Sequence, residues 1–171
     1  QRGDLDVDAP VGEYWPEFAA NGKADIEVRW LLCHKAGLPY VDATLTLEEA
    51  LAWDPMIRAL EEQAPIWEPG TAHGYHATTY GWLVGEVVRR ITGKSVGSYF
   101  RDEIAGPLGA DLFIGTPAEH DARCAELIPA PLPKLDGSDG DEFLVKLLAS
   151  AKPYAIKAFM NPLPGAFNSR A

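Results

Sequence analysis

The chain has 171 residues, 47% of them hydrophobic and 23% charged. That is the make-up of one globular domain, which at this size buries roughly 68–70% of the surface its unfolded chain exposes. A net charge of −10 speaks against nucleic acid and anionic membrane as partners, since both recruit a cationic face, and is accounted for by solubility. No run approaches the roughly 18 apolar residues of a membrane span. Cys33 and Cys124 stand far apart with no CxxC, and read as free buried thiols rather than a disulfide framework.

There is no internal repeat and no low-complexity tract. "DIEVRWLLCHKAG", from Asp25, predicts a short helix with Asp25 as N-cap and Gly37 beyond its end. In "TLEE", Thr46 and Glu49 form a capping box that opens a helix carrying Leu47, Ala50 and Leu51. Asp54-Pro55 restarts a helix, because proline is tolerated at the first helical position, and Met56, Ile57 and Leu60 give it an apolar face. The strongest periodicity lies over 77–92, where Leu83, Val84, Val87, Val88 and Ile91 recur three and four apart and Gly93 is the stop.

Ser95 then caps a helix with Val96, Phe100 and Ile104 on one side. "DLFIG" at 111–115 is the strand candidate, followed by a second capping box, Thr116 with Glu119 around Pro117. "PAPLPKLDGSDGD" at 129–141 is linker-like, "EFLVKLLASA" at 142–151 is helical until Pro153 breaks it, and the last ten residues read as loop. The fold class expected is mainly α, with a short strand or two, in a single domain over 1–171.

Several motifs look chemical and fail on context. "GKSVG" matches the G-x-S-x-G nucleophile elbow, but that elbow needs a strand before the serine, and a helix precedes Ser95. The same "GKS" is no phosphate loop, because the first glycine of that pattern would fall at Val88. "GSDG" at 137–140 is close to a Ser-Asp-Asn element but lacks the Asn, so a turn explains it. His73 and His76 could ligate a metal, yet no carboxylate or cysteine stands close enough in sequence to complete the set, so neither metal nor other cofactor is expected. His34 beside Cys33 reads as a packed or helix-terminal histidine.

More specific is the order of three stretches: "YWPEFAANGKADIEVRWLLCHKAGLP" at 14–39, "PGTAHGYHATTYGWLVGEVVRRITG" at 69–93, and "EIAGPLGADLFIG" at 103–115. Over about residues 3–120 the chain resembles the serine β-lactamase-like superfamily, and within it the class C β-lactamase-like carboxylesterases. The resemblance implies the helical domain of the β-lactamase/transpeptidase-like fold, without its flanking α/β sheet domain. In that family a Ser-x-x-Lys supplies nucleophile and basic lysine, a Tyr-x-Asn places a tyrosine beside them, and a later Lys-Thr-Gly or His-x-Gly strand completes the oxyanion hole.

Carried over by resemblance, Tyr75 takes the tyrosine position as general base or proton relay, and His76 and Ala77 become substrate-facing positions. A free phenol has a pKa of about 10, so such a tyrosine needs a neighbouring Lys⁺ to favour phenolate at neutral pH. Ala77 stands where many members have Asn, which weakens the case for β-lactam hydrolysis and leaves a small ester or amide as substrate. None of Ser95, Ser98, Ser138, Ser150 or Ser169 is followed three residues later by Lys. In the family the Ser-x-x-Lys lies before "LDVDAPV", and the terminal strand motif would lie beyond Ala171.

"QRGDLDVDAP" lacks a start methionine and the chain stops at "NSRA", so both ends read as cut. Three expectations follow. These residues alone are inactive, having no nucleophile. An apolar groove is left near Tyr75, against part of the 77–92 helix. Through that groove the chain dimerises or takes a partner. The competing reading is a non-catalytic binding module that keeps a hydrolase-like helical fold.

Overall fold

The computed structural model describes residues 3–126 together with 128, 154, 157 and 158. The linker-like stretch at 129–141, the helix expected at 142–151 and the final loop lie outside the described residues.

Two short 3-10 turns, Val11–Glu13 and Pro16–Ala19, open the fold and bury Val11, Trp15 and Phe18 completely. Helix α1 is Val28–Leu32. Its N-cap is Glu27 rather than the expected Asp25, because the residues before it are held extended. The Val11 amide donates to the Ile26 carbonyl (2.8 Å) and the Val28 amide to Ala9 (3.0 Å), with Pro10 and Glu27 paired antiparallel. That isolated bridge is what the expected strands amount to among the described residues, so the chain is mostly helical with almost no sheet.

Helix α2, Leu47–Leu51, has the reciprocal capping box of Thr46 and Glu49 that its sequence predicts. Helix α3, Asp54–Glu62, starts with Pro55 in its first turn and buries Met56, Ile57 and Leu60. Lys23 closes its far end, its fully buried ammonium donating to the carbonyls of Glu61 (2.8 Å) and Gln63 (2.6 Å). Burial pulls the Lys23 pKa down to about 8, against the opposing pull of Glu61.

Helix α4 is Tyr80–Thr92, three residues shorter at its start than the periodicity suggests, because 77–79 form a turn fixed by the site described below. Gly93 ends it in the left-handed conformation, as expected of a helix stop. Leu83 and Val87 enter the core shared with α1 and α3. Glu86 enters it too, its carboxylate receiving the Trp53 indole (2.8 Å), Arg89 (2.6 and 2.8 Å) and Arg90 (2.7 Å). Trp53 reaches it by lying flat over Gly85, where a Cβ would come within 2.6 Å of the ring.

Ser95 caps α5, Val96–Phe100, by accepting the Ser98 amide. A π turn over Arg101–Ala105 and a closing α6, Gly106–Leu108, continue it. The wider turn follows from Pro107, which has no amide to bond Glu103 and whose ring would press on that carbonyl. A helix before Ser95 leaves "GKSVG" without the strand an elbow needs.

Three expectations are corrected here. Residues 111–115 are irregular, not a strand: they run over α5, with the Ile114 carbonyl so close to Gly97 that a Cβ there would sit 2.2 Å from it, and among the described residues no neighbouring strand offers a ladder. Residues 118–123 form a 3-10 turn whose N-cap is Pro117, not a helix capped by Thr116. Both thiols are free but exposed, Cys33 at the outward end of α1 and Cys124 after the last turn.

An apolar groove does lie against α4, but at the opposite end from Tyr75. A cavity of about 560 Å³ is walled by Leu5, Val7, Val88, Ile91, Tyr99 and Ile104. Its lining on α4 begins at Val88, about 12 Å along the helix from Tyr80. Among the described residues no helix is long and apolar enough to cross a membrane.

Candidate active site

Two loops, one after α1 and one after α3, are laced together by main-chain and side-chain hydrogen bonds. After Cys33 the chain turns sharply, with His34 at φ 59° and Gly37 at φ 77°. Left-handed backbone is uncommon for a residue with a Cβ, histidine being among the more tolerant types. The turn points the carbonyls of His34, Lys35 and Gly37 at the second loop. They accept the amides of Gly74 (3.2 Å), Gly70 (3.0 Å) and Ile66 (2.8 Å) respectively.

Side chains of the second loop complete the lacing. The Leu38 peptide is gripped at both ends: its amide donates to His76 Nε2 (3.0 Å), and its carbonyl accepts the Thr79 hydroxyl (2.6 Å). The His76 carbonyl then receives the Tyr80 amide, which starts α4. Tyr154, Lys157 and Ala158 pack on the same region, with Tyr154 near Trp67, Lys157 on Asp42 (3.2 Å), and the Thr78 hydroxyl on the Ala158 carbonyl (3.3 Å).

His76, expected to face substrate, is fully buried, and both ring nitrogens are used internally. Since Nε2 accepts an amide, Nδ1 carries the proton and donates to the Gly74 carbonyl (2.6 Å). Burial pulls the His76 pKa down to about 4, helped by the neighbouring His34 and His73 and opposed by the bond to Gly74. The imidazole is a neutral splice between the loops.

Tyr75, between Gly74 and His76, is 57% exposed. Its ring meets the edge of His34 at 5.0 Å, while Tyr80 lies against the same imidazole at 4.9 Å. His73 is 6.0 Å from His34. Ala77 is half-buried in the turn leading to α4. Gly74 must be glycine, because a Cβ there would stand 2.6 Å from the Trp67 ring. Among the described residues no group of three or more His, Cys, Asp and Glu side chains is placed to hold a metal ion.

The structure therefore brings His34, His73, Tyr75, His76 and Tyr80 into one cluster with a single exposed phenol at its edge. Sequence reasoning picked out Tyr75 and missed how closely His34 is tied to it. The signal available was the run of glycines at 37, 70 and 74, whose places mark where the two loops meet.

The sequence profile of the Beta-lactamase family matches residues 1–156. The chain belongs to the Beta-lactamase family. Among relatives, the esterase/beta-lactamase LipL of Mycobacterium tuberculosis is 42% identical over 132 residues, covering 74% of this chain and 30% of LipL. Among solved structures, a family VIII carboxylesterase superposes with a TM-score of 0.71 at 46% identity, over 74% of this chain and 36% of that one. A penicillin-binding protein homologue from Caulobacter crescentus matches at TM-score 0.71 and 34% identity, over 90% of this chain and 40% of its own.

The chain thus spans about a third of the length of LipL and of the carboxylesterase. As a Beta-lactamase family segment it carries the mostly helical part of that fold.

Proposed function

We propose that this segment serves a serine hydrolase of carboxylesterase type, in which Tyr75 is the general base or proton relay for a nucleophilic serine. The observation that carries the reading is the contrast within three residues: Tyr75 is 57% exposed, while the Gly74 and His76 amides on either side of it are hydrogen-bonded to His34. A proton-transfer group needs reach and fixed direction together, and this arrangement supplies both.

The serine belongs to a Ser-x-x-Lys that the 171 residues do not contain. Within the reaction, that hydroxyl adds to the ester carbonyl while its proton passes to the Tyr75 phenolate. The phenol then returns the proton to the departing alkoxide as the acyl-enzyme forms, and the same pair activates water for deacylation. The nearby lysine ammonium favours phenolate by charge. Ala77 presents a methyl group where an amide would otherwise hold a substrate, which suits a small ester. Residues 1–171 by themselves are inactive in this reading, because nothing in them replaces the nucleophile.

The test is Tyr75→Phe in the full-length enzyme that carries this segment with its serine and lysine. Hydrolysis of a short-chain p-nitrophenyl ester should fall on the order of 10²–10⁴-fold in kcat, the range of a lost general base. A variant as fast as the parent removes Tyr75 from the mechanism.

A further inference from the structure

We propose that His34 is the positioning residue for Tyr75, holding its backbone from both sides; the inference rests on the reading of Tyr75 as the proton-transfer group. The two amides that flank Tyr75 end on the same residue. The Gly74 amide donates to the His34 carbonyl (3.2 Å), and the His76 amide donates to His34 Nδ1 (3.2 Å). The His76 amide belongs to the peptide unit that follows the tyrosine Cα, and the unit before it is held at its Gly74 carbonyl by His76 Nδ1 (2.6 Å), so His34 fixes the first directly and braces the second one residue upstream, at the Gly74 amide.

The imidazole limits the side-chain torsions too. Its edge contact with Tyr75 at 5.0 Å walls one side, and Tyr80 at 4.9 Å backs the imidazole from the first turn of α4. His34 meets both amides with its own backbone left-handed, at φ 59°. Backbone in that region persists where its surroundings over-determine it, and such strain clusters at functional sites. Here five hydrogen-bonded or ring neighbours (Gly74, His76, Tyr75, Tyr80 and His73) over-determine it.

The chemistry sets the tautomer. Because Nδ1 accepts an amide, a neutral His34 carries its proton on Nε2, and the imidazolium would place a second proton against the His76 N–H. The titratable groups facing it are His73, Tyr75 and His76 from the second loop and Tyr80 from α4, with Cys33 adjacent in sequence. Burial first, and then His73, hold its pKa below the ordinary histidine value, so the acceptor stays free at neutral pH.

The experiment uses the full-length enzyme and three variants. His34→Ala removes the acceptor. His34→Asn keeps a side-chain acceptor close to the place of Nδ1 and tolerates left-handed backbone. Tyr75→Phe supplies the background for a double-mutant cycle. His34→Ala should lower kcat on the order of 100-fold with KM nearly unchanged, the effect of a displaced catalytic group, and His34→Asn should restore most of it.

In the Tyr75→Phe background, His34→Ala should cause no further loss, because a positioning residue has nothing left to position. A full further loss there, or a His34→Ala enzyme with unchanged kcat, overturns the proposal. A fast Tyr75→Phe enzyme instead overturns the reading of Tyr75. Hydrogen exchange over peptide 74–79 keeps the clamp testable even then. Its amides should lose protection in His34→Ala and keep it in His34→Asn, and protection unchanged in His34→Ala rules the clamp out.

Discussion

Glu86 and His76 are both fully buried polar side chains on or just before α4, and they are satisfied in opposite ways. Glu86 keeps its charge. Burial pushes its pKa up, but Arg89, Trp53 and Arg90 together hold it below the ordinary carboxylate value. The network extends from Arg90 to Glu17 (2.8 Å) and to Glu61 (3.7 Å), whose carboxylate also accepts the Trp15 indole (2.7 Å), so it ties α3, α4 and the first turns together. His76 gives up its charge and bonds to peptide groups alone. Charge pairing anchors the core, whereas neutral hydrogen bonding holds the site. A neutral donor–acceptor splice fixes direction without placing a field beside the phenol it presents.

The largest test of that contrast is Glu86→Ala. It leaves the Trp53 N–H without its acceptor and two arginines without their shared carboxylate, so it should lower stability by about 3 kcal/mol in a urea titration. A change within about 0.5 kcal/mol, the ordinary surface range, would reduce the network to an exposed ion pair.

The second test separates the two regions by pH. His76 has a folded pKa of about 4 against an ordinary 6.5, so folding favours its neutral form. Its contribution is complete above pH 6.5 and is lost as pH falls towards 4, by about 3 kcal/mol at most. Glu86, held below 4.5, loses its contribution only in stronger acid. Urea midpoints at pH 7 and pH 4.5 should therefore differ in the parent and differ less in His76→Asn, where His34 still favours its neutral form on folding; an undiminished difference would show that His76 is not neutralised by folding.

A smaller effect is expected at Gly74. The Cβ of Gly74→Ala meets Trp67 at 2.6 Å, and the rigid indole must move. A cost of about 2 kcal/mol, with a change in tryptophan near-ultraviolet dichroism, is the signature of an overpacked seam. A silent substitution would mean that the two loops yield more readily than their hydrogen bonds imply.

Those elements whose causes are local were legible in the sequence. The Thr46–Glu49 box, Pro55 in the first turn of α3, the Gly93 stop and the Ser95 cap each act within four residues, and each is in place. Where the cause is a distant partner, the sequence misled. Asp25 lost its cap role because Ala9 and Val11 hold the residues beside it extended, and 111–115 is no strand because no described residue pairs with it. At the candidate site, Tyr75 was singled out through the family pattern, while His76, expected to face substrate, is buried. Nothing in "GYHA" says which of two adjacent side chains turns inward; the Leu38 amide decides that, from the other loop.

The same lacing has a consequence for when the site exists. His34 and His76 are 42 residues apart, and closing a loop of that length costs about 3 kcal/mol of chain entropy. One hydrogen bond returns only about 1 kcal/mol, so a single stitch between the loops cannot hold. Several must close together. The tyrosine is therefore presented all at once or not at all, and every stitch lost brings the whole seam nearer to opening.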